Sequence, residues 1–302
     1  TLYGTLDTVQ VIRQRIQHAN EANAGARVTH ISPAILQANK TRSLAELLTD
    51  HTSIYIKSLG TGALSTASFR GTSASQTRVN WNGINITPPL SGTFDFSQIP
   101  VFFTDNINLY YGSSHVKNGT GALGGSVNLF THTDWHGGGN GRVLAEYGPY
   151  NTYTVGGQAN ISGNKSASKT RLYYQHSDND YTYLNKVLTN IPFREKRQDA
   201  AYSQFGIMQE GYFRVSPYTR LTAVAWYQKN HRNLPQPLGV VNRSQEDQEE
   251  NNFRGYAGLD FSRGIHELHV KAAWLYFCQT YDIRYDGGLF DPKGNKNRSN
   301  TA

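Results

Sequence analysis

Two stretches of this 302-residue sequence spell patterns that carry chemistry in other proteins. Gly119-Thr120-Gly121-Ala122-Leu123-Gly124 has the spacing that lets a backbone turn approach a pyrophosphate, a role that needs a strand before it, a helix after it and an acidic residue about 20 positions on. Ser126 to Phe130 reads as strand instead, and no phosphate-loop lysine follows the glycines. Those glycines are expected to serve tight turns and close packing. His266-Glu267-Leu268-His269 places its histidines three apart, the wrong spacing for the shared helix face of a zinc protease. Its alternation suits a strand with Glu267 and His269 on one side. No Gly-x-Ser-x-Gly elbow is present, and Cys278, the single cysteine, has no partner for an internal disulfide or a zinc site. The sequence therefore points away from an enzyme.

Composition narrows the class further. Charged residues make up 17 % of the chain and aromatic residues 12 %, against about 25 % charge in an ordinary soluble domain. With 29 glycines and 19 tyrosines, that balance favours a β-rich chain with many turns. The net charge of +7 is scattered rather than gathered into a stripe, so no nucleic-acid partner is expected. No run approaches the roughly 20 apolar residues of a membrane-spanning helix, and the mean hydropathy is −0.56. A barrel stays open, because lipid-facing and lumen-facing residues alternate along each strand and cancel in a hydropathy window. The chain starts without a basic segment followed by an apolar core, so either a leader was removed or the sequence is a fragment.

Three compositional regimes follow one another. Residues 1–16 form an arm with one β-like run, Leu6-Asp7-Thr8-Val9-Gln10-Val11, and residues 17–27 a polar linker. Residues 28–135 read as a mixed α/β unit. Ser43-Leu44-Ala45-Glu46 is a capping box ahead of a helix whose buried face is Leu44, Leu47 and Leu48. Ile54-Tyr55-Ile56 reads as a strand, and Val79 to Ile86 as a hairpin turned at Asn82-Gly83. After the glycine-rich joint His136 to Gly141, residues 141–302 change to two-residue periodicity.

Seven strands are expected in that last regime: Arg142 to Tyr147, Thr152 to Ile161, Thr170 to Ser177, Tyr202 to Val215, Thr219 to Gln228, Asn252 to Ser262 and Leu268 to Tyr276. Phe253, Ala257, Leu259 and Phe261 share one face, with Asn252, Arg254, Asp260 and Ser262 opposite. Short turns near Ser162, Ser216 and Arg263 alternate with long connections at Asp178 to Ala200 and Leu234 to Asn251, the pattern of an outer-membrane barrel. A soluble β-sandwich also alternates this way, and spacing alone leaves the two open. Tyrosine and tryptophan near strand ends favour the barrel.

The stretch Thr66 to Thr131 resembles the plug domain of TonB-dependent receptors segment by segment. Ser68-Phe69-Arg70-Gly71-Thr72-Ser73-Ala74-Ser75 is similar to that family's arginine-glycine segment, and Val79-Asn80-Trp81-Asn82-Gly83-Ile84 to its strand-turn-strand, with Asn82 where aspartate is usual. Asp95 to Pro100 with Ile107 to Gly112, and Gly121 to Leu129, resemble the later segments in order and spacing. Tyr111-Gly112-Ser113 and Asn118-Gly119 depart from the family's usual residues.

The resemblance implies an α+β plug domain inside an antiparallel transmembrane β-barrel, mainly β, in the outer membrane of a Gram-negative bacterium. It implies that the arm carries a TonB box, with Leu6, Asp7, Thr8, Val9 and Val11 captured by TonB through strand addition. It makes Gly60, Thr61, Gly62, Ala63 and Leu64, with Pro88, Pro89, Leu90, Ser91, Gly92 and Thr93, outward-facing plug loops that either touch a bulky nutrient or serve as turns alone. Arg70 is expected as a buried structural charge paired with carboxylates in the lumen. The run Lys57 to Arg78 resembles the cobalamin receptor, so cobalamin is the preferred solute, ahead of a ferric siderophore, a glycan or a peptide. That branch implies calcium as the candidate metal, with Asp178, Asp180, Asp199, Asp247 and Glu249, beside Glu246 and Glu250, as loop oxygen donors; solvated loop carboxylates are the plainer reading. No other cofactor is expected. Further partners implied are outer-membrane lipid and a surface lipoprotein. A surface adhesin or carbohydrate-binding β-protein is the alternative of a different class, using Tyr181 and Tyr183 to stack on ligands. Seven strands do not close a barrel of that family's size, and Arg284 to Ala302 reads as a loop, so the natural protein is expected to continue beyond Ala302.

Overall fold

The computed structural model describes residues 27–89, 91–112, 123–133, 135, 137–187, 191–238, 244–285 and 295–301. The N-terminal unit begins with β1 (Arg27–His30) and α1 (Pro33–Ala38). Ser32 caps α1 by accepting from the Ile35 N–H, and Pro33 opens it, where a missing N–H costs nothing. That helix was absent from the expected elements although its Ser-Pro start is legible. The expected helix is present as α2 (Leu44–His51), with both capping-box bonds formed between Ser43 and Glu46 and with Leu44, Leu47 and Leu48 buried.

Next come β2 (Tyr55–Ser58), β3 (Ser65–Ser68), β4 (Thr77–Trp81), β5 (Ile84–Asn85), β6 (Asn106–Tyr111) and β7 (Gly125–Phe130). The β4 to β5 turn has φ of 49° at Asn82 and 82° at Gly83, the two positive values that its sequence demands. A five-stranded sheet runs in the order β1, β6, β7, β4, β5, antiparallel except for the parallel pair β4 and β7. Phe69, Trp81, Phe96, Phe102 and Phe103 lie in one core with the buried leucines of α1 and α2. Strand β7 occupies the place where a dinucleotide fingerprint requires a helix.

The second unit is one antiparallel sheet of eight described strands in the order β17, β16, β15, β14, β13, β10, β9, β8. Its members are β8 (Gly138–Gly148), β9 (Thr152–Ser162), β10 (Ser166–Ser177), β13 (Tyr202–Ser216), β14 (Thr219–Asn233), β15 (Ser244–Arg263), β16 (His266–Tyr285) and β17 (Asn295–Thr301). Two short strands, β11 (Thr182–Asn185) and β12 (Phe193–Lys196), pair as a hairpin within the connection from β10 to β13.

Three expectations change here. Arg284 to Ala302 is not all loop, because Asn295–Thr301 pairs with β16 and makes the strand count eight. Leu234 to Asn251 is only partly loop: β15 starts at Ser244, so Glu246 to Glu250 lie on a strand. Asp178 to Ala200 contains a hairpin. Strand length explains the second change, because β15 and β16 run 20 residues each while a tilted strand crosses a bilayer in about 9–11. Beyond the crossing length their outward positions carry ion pairs, Lys229 with Glu249 at 3.1 Å and Arg284 with Asp247 at 3.3 Å.

The two faces of the large sheet decide between barrel and sandwich. Val143, Ile161, Leu172, Phe205, Val270 and Trp274 point to one side and are exposed, Val143 to 82 %. Arg171, Glu210, Gln228 and Arg254 point to the other and are buried. A soluble sandwich buries its apolar face; this sheet exposes it and buries the polar one, as a barrel wall does. Replacing Ser43 with alanine should lower stability by about 1 kcal/mol through loss of the α2 cap, read by denaturant unfolding of the detergent-solubilised protein.

Candidate functional site

The N-terminal unit lies across the polar face of the large sheet, and that contact is where charge is concentrated. Asp105 follows the core residues Phe102 and Phe103 and the buried Thr104, so its carboxylate is carried to the sheet by a packed segment. Its Oδ2 accepts from Arg171 Nη2 at 2.5 Å, Lys169 Nζ at 3.0 Å and the His132 N–H at 3.0 Å. Arg171 also reaches Glu210 at 3.3 Å and the Phe103 carbonyl at 2.9 Å. Tyr212 donates to Glu210 at 2.6 Å. Strand pairing sets Lys169 directly opposite Glu210.

Electrostatics agree with that geometry. Burial pushes the Asp105 carboxyl up, but Arg171, Lys169, the His132 N–H and Lys40 together hold it well below the usual carboxylate range. Lys40 is lowered to about 8, mainly by burial, with attraction from Asp105 offset by Arg171, Lys169 and Arg142. Its Nζ donates to the Thr104 carbonyl at 2.5 Å.

A second tier lies nearer the long connections. Arg232 Nη1 donates to Asp95 Oδ2 at 2.7 Å, while Asp95 Oδ1 accepts from the N–H groups of Ser65 and Ser97, each at 3.0 Å. Gln204 donates to the Ser97 carbonyl at 2.9 Å and Gln228 to the Gln98 carbonyl at 3.1 Å. Between the tiers, Trp226 stacks with Trp81 and with Phe103, both at 5.3 Å. Gly206 makes room there, since a Cβ at that position would stand 2.6 Å from the Phe103 ring.

The expected loop residues sit at the end of the sheet that carries the long connections. The Thr61 carbonyl accepts from Asn179 Nδ2 at 3.0 Å, and Gly62 lies against the Tyr202 ring. Gly60 to Leu64 closes on itself through the Leu59 N–H to Leu64 carbonyl bond, and Pro88 to Thr93 through the Gly92 N–H to Pro88 carbonyl bond. Leu64, Pro88, Pro89, Ser91 and Thr93 line a cavity of about 530 Å3 against β14, β15 and β16; Leu90 lies outside the described residues. A second cavity of about 280 Å3 beside α2 is lined by Arg42, Glu46, Thr61, Gly62, Tyr202 and Gln204 among others.

Other expected residues are not brought together. Leu6, Asp7, Thr8, Val9 and Val11 lie outside the described residues. The carboxylates weighed as calcium donors are dispersed: Asp178 bonds Asn151 and His176, Asp180 bonds Lys196, and Asp247 and Glu249 pair on the sheet with Arg284 and Lys229. Asp199 stands in a left-handed turn at φ 53°. Among the described residues no three His, Cys, Asp or Glu side chains converge to hold a metal. Arg70 is exposed rather than buried, with its guanidinium 5.9 Å from the Tyr111 ring. The reason is local: the chain reverses at Phe69 to Thr72, Arg70 takes φ 49°, and Phe69 occupies the buried position.

The TonB-dependent Receptor Plug Domain family matches residues 20–126. This chain carries a TonB-dependent receptor plug domain. The chain is 31 % identical over 126 residues to the vitamin B12 transporter BtuB of Vibrio cholerae serotype O1, a match that covers 41 % of this chain and 20 % of that protein. The siderophore receptor PiuA of Acinetobacter baumannii superposes with a TM-score of 0.60 at 18 % identity, over 86 % of this chain and 37 % of its own. The copper transporter OprC superposes with a TM-score of 0.63 at 14 % identity, over 91 % and 41 %. The receptor chain thus spans less than half of these proteins, and the structural likenesses show the fold alone.

The seat residues Asp95, Asp105, Lys169, Arg171, Glu210 and Arg232 were not singled out from sequence. The signal available was charge at inward positions of strands otherwise read as alternating, with Lys169 and Arg171 two apart on one face. Asp105→Asn should leave Lys169 and Arg171 underpaired in a buried site and cost about 3–5 kcal/mol, read as earlier unfolding of the plug by hydrogen exchange. The depressed Asp105 contributes stability above pH 3.8 that is lost as pH falls through its lower folded value. Lys40 acts in another window: between about 8 and 10.5 the unfolded chain binds more protons, so stability should rise with pH there, and Lys40→Met should flatten that rise.

Proposed function

We propose that this receptor is the plug-bearing part of an outer-membrane importer of a scarce, bulky nutrient, with cobalamin preferred and a ferric siderophore as the competing solute. The observation that carries this reading is a plug seated on buried, matched charges against a sheet whose opposite face is apolar and exposed. Such a seat closes the lumen without covalent attachment, and its polar contacts can exchange with water when the plug moves. A surface adhesin needs no plug, so the seat argues against that reading. The chemistry is binding and gated passage, not catalysis.

In this reading the N-terminal arm offers Leu6, Asp7, Thr8, Val9 and Val11 to TonB as an added strand, and traction on the arm rearranges the plug. The loops Gly60 to Leu64 and Pro88 to Thr93 face the outside and meet the solute. The preference for cobalamin rests on the BtuB likeness, and the siderophore alternative on neighbours such as PiuA. Calcium ordering of the outer loops would draw on Asp178, Asp180 and Asp199, with any ordering of Asp247 and Glu249 competing against Arg284 and Lys229.

Isothermal titration of the full-length protein with cyanocobalamin should give saturable heat. Silence with cyanocobalamin and saturation with a ferric chelate would shift the solute to the siderophore class. Removing residues 5–11 should leave solute binding intact and abolish energised uptake by cells; loss of both together would count against the coupling role.

A further inference from the structure

Buried cations on the inner face of the wall are matched, with one exception. Among the described residues, Lys169 and Arg171 meet Asp105, and Arg232 meets Asp95. Arg254, on the same face of β15 and 2 % exposed, has no carboxylate oxygen within 4.0 Å among the described residues. Its Nη1 donates to Gln228 Oε1 at 2.5 Å, and its Nε is buried with no hydrogen-bond partner. The guanidinium lies 4.6 Å from the Trp226 ring centroid and 5.7 Å from that of Phe277. A desolvated guanidinium held by two aromatic rings retains its charge and its unused N–H edge, which suits a planar anion.

That residue lines the cavity of about 530 Å3, whose apolar lining comes from Pro88, Pro89 and Phe94 of the plug and from Leu275 and Phe277 of the wall. Three other charged residues, Asp95, Arg232 and Glu250, line it. Asp95 and Arg232 pair with each other. Glu250 lies four residues along β15 on the same face, roughly 13 Å away along the strand, and accepts from Gln248 Nε2 at 2.6 Å. Arg254 is thus attracted by Glu250 without pairing with it at ion-pair distance among the described residues, and it keeps an unused N–H edge beside a cavity with an apolar side.

The geometry points to Arg254 as the anchor for a carboxylate on the imported solute, with an aromatic or aliphatic body seated between Pro88, Pro89 and Phe94 on one side and Leu275 and Phe277 on the other. Calling the ligand an imported solute rests on the transport reading above; the anion site itself does not. The cavity lies between plug and wall and is lined by residues of the Pro88 loop. An anion placed there satisfies the guanidinium in a setting poor in water, where charge-assisted hydrogen bonds are strong.

The test is saturation-transfer NMR titration of the full-length protein in detergent with benzoate and with benzamide, which has nearly the same shape without the charge. Benzoate should bind at least tenfold more tightly than benzamide. Arg254→Met should erase that preference and Arg254→Lys should keep most of it. Leu275→Trp, which fills the apolar wall and leaves the arginine in place, should weaken benzoate at least tenfold, and it serves if the methionine variant does not fold. Equal binding of the two probes, no benzoate binding, a preference that survives Arg254→Met, or undiminished benzoate affinity in Leu275→Trp would overturn the assignment. The readout involves neither TonB nor uptake, so benzoate can bind a protein that imports nothing, and an importer can fail to bind benzoate.

Discussion

A charge removed from water must be matched where it is buried, and the arrangement of this receptor follows from that constraint. The wall presents Lys169, Arg171, Glu210 and Arg232 on its inner face, and the plug brings Asp105 and Asp95 to meet them. The pairs sit on the interior strands β10, β13 and β14 of the large sheet and on turns next to the plug's aromatic core, so their geometry is fixed from both sides. Buried ion pairs contribute little net stability compared with apolar packing, because desolvation offsets attraction. Their value here is positional: a plug shifted by one strand step loses its partners and leaves several charges stranded.

Packing sharpens the same selection. Trp81 and Phe103 of the plug meet Trp226 of the wall, and Phe103 lies over Gly206, where no side chain stands. Along β13 the inward neighbours of Gly206 are Gln204 and Met208, both buried with substantial side chains. A displaced plug would set the ring on one of these. Aromatic shape and charge matching thus specify one docking position by independent means. Arg254 departs from the matched pattern, and it does so beside open space rather than in a packed region.

Much of this was legible in the sequence, and the parts that were not share a cause. The capping box at Ser43 to Glu46, the Asn82-Gly83 hairpin and the alternation in β15 and β16 are set by neighbours within a few residues, so local reading found them. The Ser32-Pro33 helix start was equally local and was passed over because the helix behind it has only six residues. Strand ends proved harder, because β15 and β16 run past the apolar band into polar sequence that resembles loop. The seat was invisible for a different reason: Asp105 meets Arg171 across 66 positions, and Asp95 meets Arg232 across 137. Arg70 shows the converse, where an arginine in a motif suggested burial and a left-handed turn sends it outward. The resemblance identified the plug, but the residues that hold it in the wall belong to cross-chain geometry that a linear reading does not carry.

The position of β1 has a mechanical consequence. It is an outer strand of the five-stranded sheet, four residues long, joined among the described residues to β6 alone and poorly buried, whereas the pair β4 and β7 lies inside with its side chains largely enclosed. A tensile load arriving from upstream of Arg27 therefore meets an outer, short joint before any inner one. The edge can peel while the aromatic centre keeps its shape, so yielding is graded from rim to middle, and a modest force can act on the molecule before any of its buried charges are parted.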